Sequence, residues 1–192
     1  MKIKKIKIKE VLEEELKGGS SDLVTRETGN IVRNRLENEI SFPGDAIISL
    51  DFSDIGIIDY SCADEVISKL ISRVNSMEYG EKFILLTNLT DEQKENIQVA
   101  LERKKLAVIY YDKDKKWELL GTLNNYLTKT LEIIMEKGYI TLRGLAEYLN
   151  IGLNTSGTRL LNLYKKRLVY REESVSPEAG RQFIYHPISP GE

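Results

Sequence analysis

"AIISLDFSDIGIIDYSCADEVI", residues 46–67, passes from one kind of periodicity to another within a few residues. Residues 46–52 are a short, isoleucine-rich apolar run, the pattern of a strand buried on both faces inside a parallel sheet. A brief apolar segment follows, and then a tight group of Asp59, Ser61, Cys62, Asp64 and Glu65. Beyond it Val66, Leu70, Ile71 and Val74 keep helical spacing. The group therefore stands where a helix begins. Asp59 or Ser61 can accept from the first backbone N–H groups, and Asp64 and Glu65 in the first turn complement the helix dipole.

Working outward, strands and helices alternate. Residues 1–11, "MKIKKIKIKEV", set Ile6 and Ile8 against Lys5, Lys7 and Lys9, which predicts a strand whose lysines guard its exposed side. A basic arm on nucleic acid is the alternative, and the run of glutamates that follows opposes it. "KGGSSD" reads as a loop. Val32, Leu36 and Ile40 behind Thr25 predict a helix over 25–40, with Gly29 weakening its first part. "FPGD" at 42–45 is a turn, 82–88 a second buried strand, 90–105 a helix and 106–112 a further strand. The alternation predicts an α/β domain over residues 1–115 with a mostly parallel or mixed sheet. Residues 112–121 turn from polar to apolar, so 116–122 reads as a linker in which Trp117 packs one domain against the next.

The chain has 192 residues, 41% of them hydrophobic and 30% charged, the make-up of an ordinary folded protein and long enough for two domains. No apolar run reaches the roughly 18 to 20 residues of a membrane helix, so no membrane partner and a cytoplasmic location are expected. One cysteine, Cys62, and one histidine, His186, exclude an internal disulfide and leave too few soft ligands for a structural zinc site. A metal would need carboxylate oxygen, from Asp51, Asp54, Asp59 and Asp64. No Gly-rich phosphate loop and no Gly-x-Ser-x-Gly turn occur, and a thiol beside carboxylates keeps its proton. The expectation is neither an enzyme nor a metal or cofactor protein.

Charge is divided unevenly. Residues 1–120 carry 19 basic and 23 acidic side chains, residues 121–192 nine and seven. Residues 154–171 hold Arg159, Lys165, Lys166, Arg167 and Arg171 with no acid among them, a local positive face suited to a polyanion. Leu123, Leu127, Leu131 and Ile134 predict a helix ending near Gly138. Thr141 can cap a helix carrying Leu142, Leu145, Ala146 and Leu149; Asn150–Gly152 turn the chain; Asn154 or Thr155 can cap a second helix with Leu160, Leu161 and Tyr164. Residues 168–172 and 181–186 then read as two strands joined by a Ser/Pro/Gly loop.

This order, with the Thr-x-x-x-Leu-Ala-x-x-Leu pattern from Thr141 to Leu149, resembles the winged helix-turn-helix DNA-binding domains of bacterial transcription regulators, over residues 123–188. The resemblance implies that Asn154, Thr155, Ser156, Thr158 and Arg159 lie at the start of a recognition helix in the major groove of duplex DNA. Asn162, Lys165, Lys166 and Arg167 lie further along it, and Arg171 and Arg181 in the wing reach the backbone or minor groove. Residues 20–112 resemble the STAS domain of bacterial anti-sigma factor antagonists. There Leu50-Asp51-Phe52 matches the strand end, Asp59 the aspartate and Ser61 the serine that a partner kinase phosphorylates. Tyr60 and Cys62 depart from that motif, and Asp64 and Glu65 would repel a phosphate. What the two resemblances imply together is a cytoplasmic transcription regulator of bacterial type. Its STAS-like domain docks a regulatory protein or senses a signal at Asp59, Ser61, Asp64 and Glu65, and a homodimer is the expected state. The alternative is a protein–protein interaction module of a signalling or defence complex, with Ser61 as a phosphoswitch.

Overall fold

The computed structural model describes residues 1–16, 21–176 and 180–191. The chain divides into two units, one of Met1–Thr122 with the tail from Ser189, the other of Leu123–Ile188.

In the N-terminal unit five strands form one sheet, in the order β1 (Lys2–Lys7), β2 (Ala46–Asp51), β3 (Lys82–Thr87), β4 (Ala107–Tyr111) and β5 (Trp117–Gly121). The first three pairings are parallel and the last is antiparallel. Between β1 and β2 lie α1 (Ile8–Leu16) and α2 (Arg26–Ile40). Between β2 and β3 run α3 (Tyr60–Ala63), a π-helical turn (Asp64–Ser68) and α4 (Lys69–Asn75); α5 (Asp91–Arg103) joins β3 to β4. This is the α/β fold with a mixed, mostly parallel sheet that the alternation predicts.

Every residue of β2 is buried, its isoleucine-rich run and also Ser49 and Asp51. Ile48, Leu50, Ile84, Leu86, Val108 and Tyr110 merge with Val32, Leu36, Val66, Leu70, Ile97 and Leu101 of the helices in one core. Helix starts follow local chemistry: Thr25 Oγ1 accepts from Thr28 N at 3.1 Å, and Thr90 with Gln93 closes a reciprocal capping box. Lys82 is buried at the start of β3, its ammonium donating to the carbonyls of Phe42, Gly44 and Tyr79. Burial pushes its pKa down, and those three carbonyls replace lost water.

Two readings of the sequence need correction. Residues 8–11 are helical, because after Lys7 the apolar spacing changes to Ile8, Val11 and Leu12, one face of a helix. The supposed linker around Trp117 is a strand of the sheet. The Asp112 carboxylate accepts from the N–H groups of Asp114 and Lys116 and turns the chain back along β4. Gly121, at φ +95°, ends β5 where a Cβ would stand 2.2 Å from the Leu106 carbonyl oxygen, so only glycine fits.

The C-terminal unit holds α6 (Asn125–Lys137), β6 (Ile140–Thr141), α7 (Leu142–Leu149), α8 (Leu153–Lys165), β7 (Val169–Ser176) and β8 (Gly180–Pro187). The strands form an antiparallel sheet in the order β6-β8-β7. Asn124 and Thr141 cap α6 and α7, and Gly138 closes α6 in the left-handed region. Leu127, Leu131, Ile134, Leu145, Leu160 and Leu163 are among its buried apolar residues. The loop between the two long strands lies outside the described residues, as does most of the "KGGSSD" segment.

Candidate functional site

Two groups of residues carry the chemistry singled out above, one in each unit. In the N-terminal unit the start of α3 is a capped helix start. Asp59 Oδ1 accepts from Cys62 N at 2.7 Å, and the half-buried Ser61 hydroxyl donates to the same carboxylate at 2.9 Å. Cys62 is fully buried, its thiol donating to the Thr25 carbonyl. Burial and the nearby Asp59 charge push its pKa up to about 11, so it keeps its proton.

Asp64 and Glu65, read as acids on an exposed docking edge, are buried instead, at 7% and 1% exposure. The π-helical turn that they open, closed by the Lys69 N–H on the Asp64 carbonyl, lies against α2, where Gly29 leaves room. A Cβ at Gly29 would be 2.9 Å from Glu65 Cβ and 3.3 Å from Cys62 Sγ. Gly29 thus permits a close helix crossing as well as weakening its own helix. Arg26, Asn30 and Arg33 recur along one face of α2 and meet the acids there, with Glu37 one turn further on holding Arg33. Glu65 is paired with Arg33, with Arg26 Nη1 at 3.0 Å and with Lys69 Nζ at 2.5 Å; Asn30 donates to it at 3.4 Å. Asp64 Oδ1 meets Lys104 Nζ at 2.6 Å and its Oδ2 meets Arg26 at 3.4 Å. Burial alone would raise the Glu65 pKa, but Lys69 and Arg33 hold it below the usual carboxylate range. The signal missed in the sequence is that polar stripe on α2, a complement to two adjacent acids.

Asp51, at the end of β2, is also buried and accepts from Asn88 at 2.6 Å and Ser53 N at 2.9 Å, with Lys5 Nζ at 2.9 Å. These partners overcome burial and hold its carboxyl low. Asp51 ties strand ends together. Among the described residues no three His, Cys, Asp or Glu side chains are placed to share a metal ion. No helix among them is long and apolar enough to cross a membrane.

In the C-terminal unit α8 begins at Leu153 with Gly152 as its N-cap, earlier in the chain than a cap at Asn154 or Thr155 would require. Asn150, left-handed at φ +50°, bends the chain sharply enough to start the helix there. Asn154 and Thr155 have no capping duty and stand exposed in its first turn, as Thr158 does in its second. With Arg159 and Tyr126 they line an open trough of about 380 Å³, in which the Arg159 guanidinium lies 5.3 Å from the Tyr126 ring centre. Tyr126 escaped the sequence reading, although the Leu123/Leu127/Leu131 spacing leaves an aromatic on the polar side of α6.

Other candidates separate from that group. Ser156 is fully buried and donates to the Leu142 carbonyl at 2.7 Å, so it fastens α7 to α8 and cannot reach a base. Arg167 is also buried, at φ +57° beyond the end of α8, with its guanidinium 5.0 Å from the Tyr164 ring. It is not part of an exposed basic run. Lys165 is exposed, and Asn162 and Lys166 are half-buried. Arg171 lies between the rings of Tyr164 and Phe183, at 4.2 and 4.1 Å, and Arg181 is paired with Glu173. His186 stacks on Tyr170 with 4.9 Å between ring centres.

A scan against protein-family models finds no match to the sequence, and a search of curated proteins finds none either.

Proposed function

We propose that the C-terminal unit is a winged helix-turn-helix that binds duplex DNA. We further propose that the N-terminal unit is a STAS-like module that docks a regulatory protein, within a cytoplasmic transcription regulator. The observation that carries this reading is the open side of the first two turns of α8. Asn154, Thr155, Thr158 and Arg159 share one trough there, just after a capped helix and a tight turn. Side chains at such a position reach base edges in the major groove, and amide and guanidinium groups pair bidentately with adenine and guanine. Lys165 and Lys166 at the far end of α8 are suited to phosphates, and Arg171 and Arg181 on the β-hairpin to the neighbouring backbone. Ser156 and Arg167 leave the set of DNA-facing residues because both are buried.

Duplex retention measured against salt tests it. Removing one lysine that neutralises a phosphate lowers the slope of log affinity against log salt by about 0.9. Lys165→Ala with Lys166→Ala should therefore flatten that slope by nearly two. An unchanged slope refutes the assigned phosphate pairings. DNA recovered with the protein from its native cell should contain a palindromic site if two copies bind as a symmetric pair.

Exposed apolar side chains on the same unit favour a second reading. Leu153 is 52% exposed and Val175 77%, which suits a module that docks proteins in a signalling or defence complex, with Ser61 as a phosphoswitch. Capture of protein but no salt-sensitive duplex binding would select it.

A further inference from the structure

We infer that the face built by the start of α2, by α3 with its π-helical turn and by the end of α5 takes an acidic segment of a partner protein. This rests on the reading of the N-terminal unit as a docking module and assigns the partner its chemistry. The acids at this face point inward and are neutralised; what points outward is positive. Arg26, Lys69 and Lys104 pair with Asp64 and Glu65 from the solvent side, and their side chains are still 55%, 40% and 36% exposed. Arg33 adds a fourth cation from beneath, shared with Glu37. Arg26 and Lys104 hold Asp64 from opposite sides, one on each carboxylate oxygen, so the turn is rimmed by cations contributed by different segments of the chain.

Arg103 extends the rim. Its guanidinium lies 4.6 Å from the Tyr60 ring centre, and Lys105 follows, exposed. Three further acids lie nearby, and none of them is ion-paired with the cations of this rim. The Asp59 carboxylate is turned onto the start of α3, where it accepts from the Cys62 N–H and the Ser61 hydroxyl, while Glu27 and Glu102 lie about 100° around α2 and α5 from Arg26 and Arg103. A basic segment would meet like charge here. An acidic one gains charge-assisted hydrogen bonds from side chains that are already positioned and lose little solvent on pairing.

The test uses the full chain, 15N-labelled, titrated with a short Asp/Glu/Ser peptide, its Asn/Gln counterpart and a Lys/Arg peptide. The acidic peptide should move the amide signals of residues 26, 60–69 and 103–105, and added salt should reverse the change. Arg103→Glu, which touches none of the buried acids, should weaken that binding roughly five-fold while leaving the rest of the spectrum in place. Asp64→Asn, which unloads Arg26 and Lys104, should tighten it. Shifts caused equally by the neutral peptide, shifts confined to α8, or an Arg103→Glu variant that binds unchanged would each overturn the inference. Shifts of these same amides by the Lys/Arg peptide alone would overturn the acidic assignment and leave the docking face standing. No response to any of the peptides would count against both.

Discussion

Glu65 is surrounded by Arg26, Arg33, Lys69 and Asn30 with almost no access to water. Such a carboxylate offsets its desolvation only while all its partners are in place, and removing one partner strands a buried charge. Its pKa lies below the ordinary value of 4.5 in the folded chain, so its stabilisation is complete above the unfolded value and drains away as pH falls through the folded one. Glu65→Gln should therefore cost about 3 kcal/mol near neutrality and much less at about pH 3. Urea melts of both proteins at the two pH values measure this; equal losses at both would show that the carboxylate is not the source. Asn30→Ala removes a weaker partner and should cost about 1 kcal/mol, nearly independent of pH.

At the scale of elements α8 combines two tasks along one helix. Ser156, Leu160 and Leu163 fasten it into its unit, while Asn154, Thr155, Thr158 and Arg159 stay on the open side. On the proposed DNA reading the Tyr126 ring pre-orients Arg159, so Tyr126→Ala should weaken binding to a specific site by about 1 kcal/mol and leave the salt slope unchanged. Arg159→Ala should cost about 1 to 3 kcal/mol and relax the preference at one base pair, as fluorescence anisotropy on point-changed duplexes would show. The helices and strands around these residues were largely legible, because Thr25, Thr90 and Thr141 announce helix starts, the Leu123/Leu127/Leu131 spacing announces α6 and the isoleucine-rich run of β2 announces burial. What periodicity could not tell was the direction of a polar side chain. Ser156 and Arg167 look like surface groups in sequence, and a hydroxyl bonded to Leu142 or a guanidinium against Tyr164 depends on tertiary neighbours that local spacing does not encode. Asp64 and Glu65 were misjudged for the same reason, since most of their partners sit on α2 and just beyond α5.

For the whole molecule, the strand order β1-β2-β3-β4-β5 has a kinetic side. Each of the three parallel pairs must close a long crossover before any ladder bond forms, whereas β4 and β5 meet across residues 112–116. Early ordering in the N-terminal unit should therefore begin at that hairpin, and β1, whose partner lies beyond two helices, should join late. Asp112→Ala, which removes the side chain that makes the turn, should slow refolding about in proportion to the stability it removes, whereas Ile6→Val in β1 should chiefly speed unfolding. Stopped-flow refolding of both variants in urea reads this directly, with a φ-value near one for the turn and near zero for the edge strand. The segment that sequence alone marks as a joint between domains is then the place from which the sheet grows.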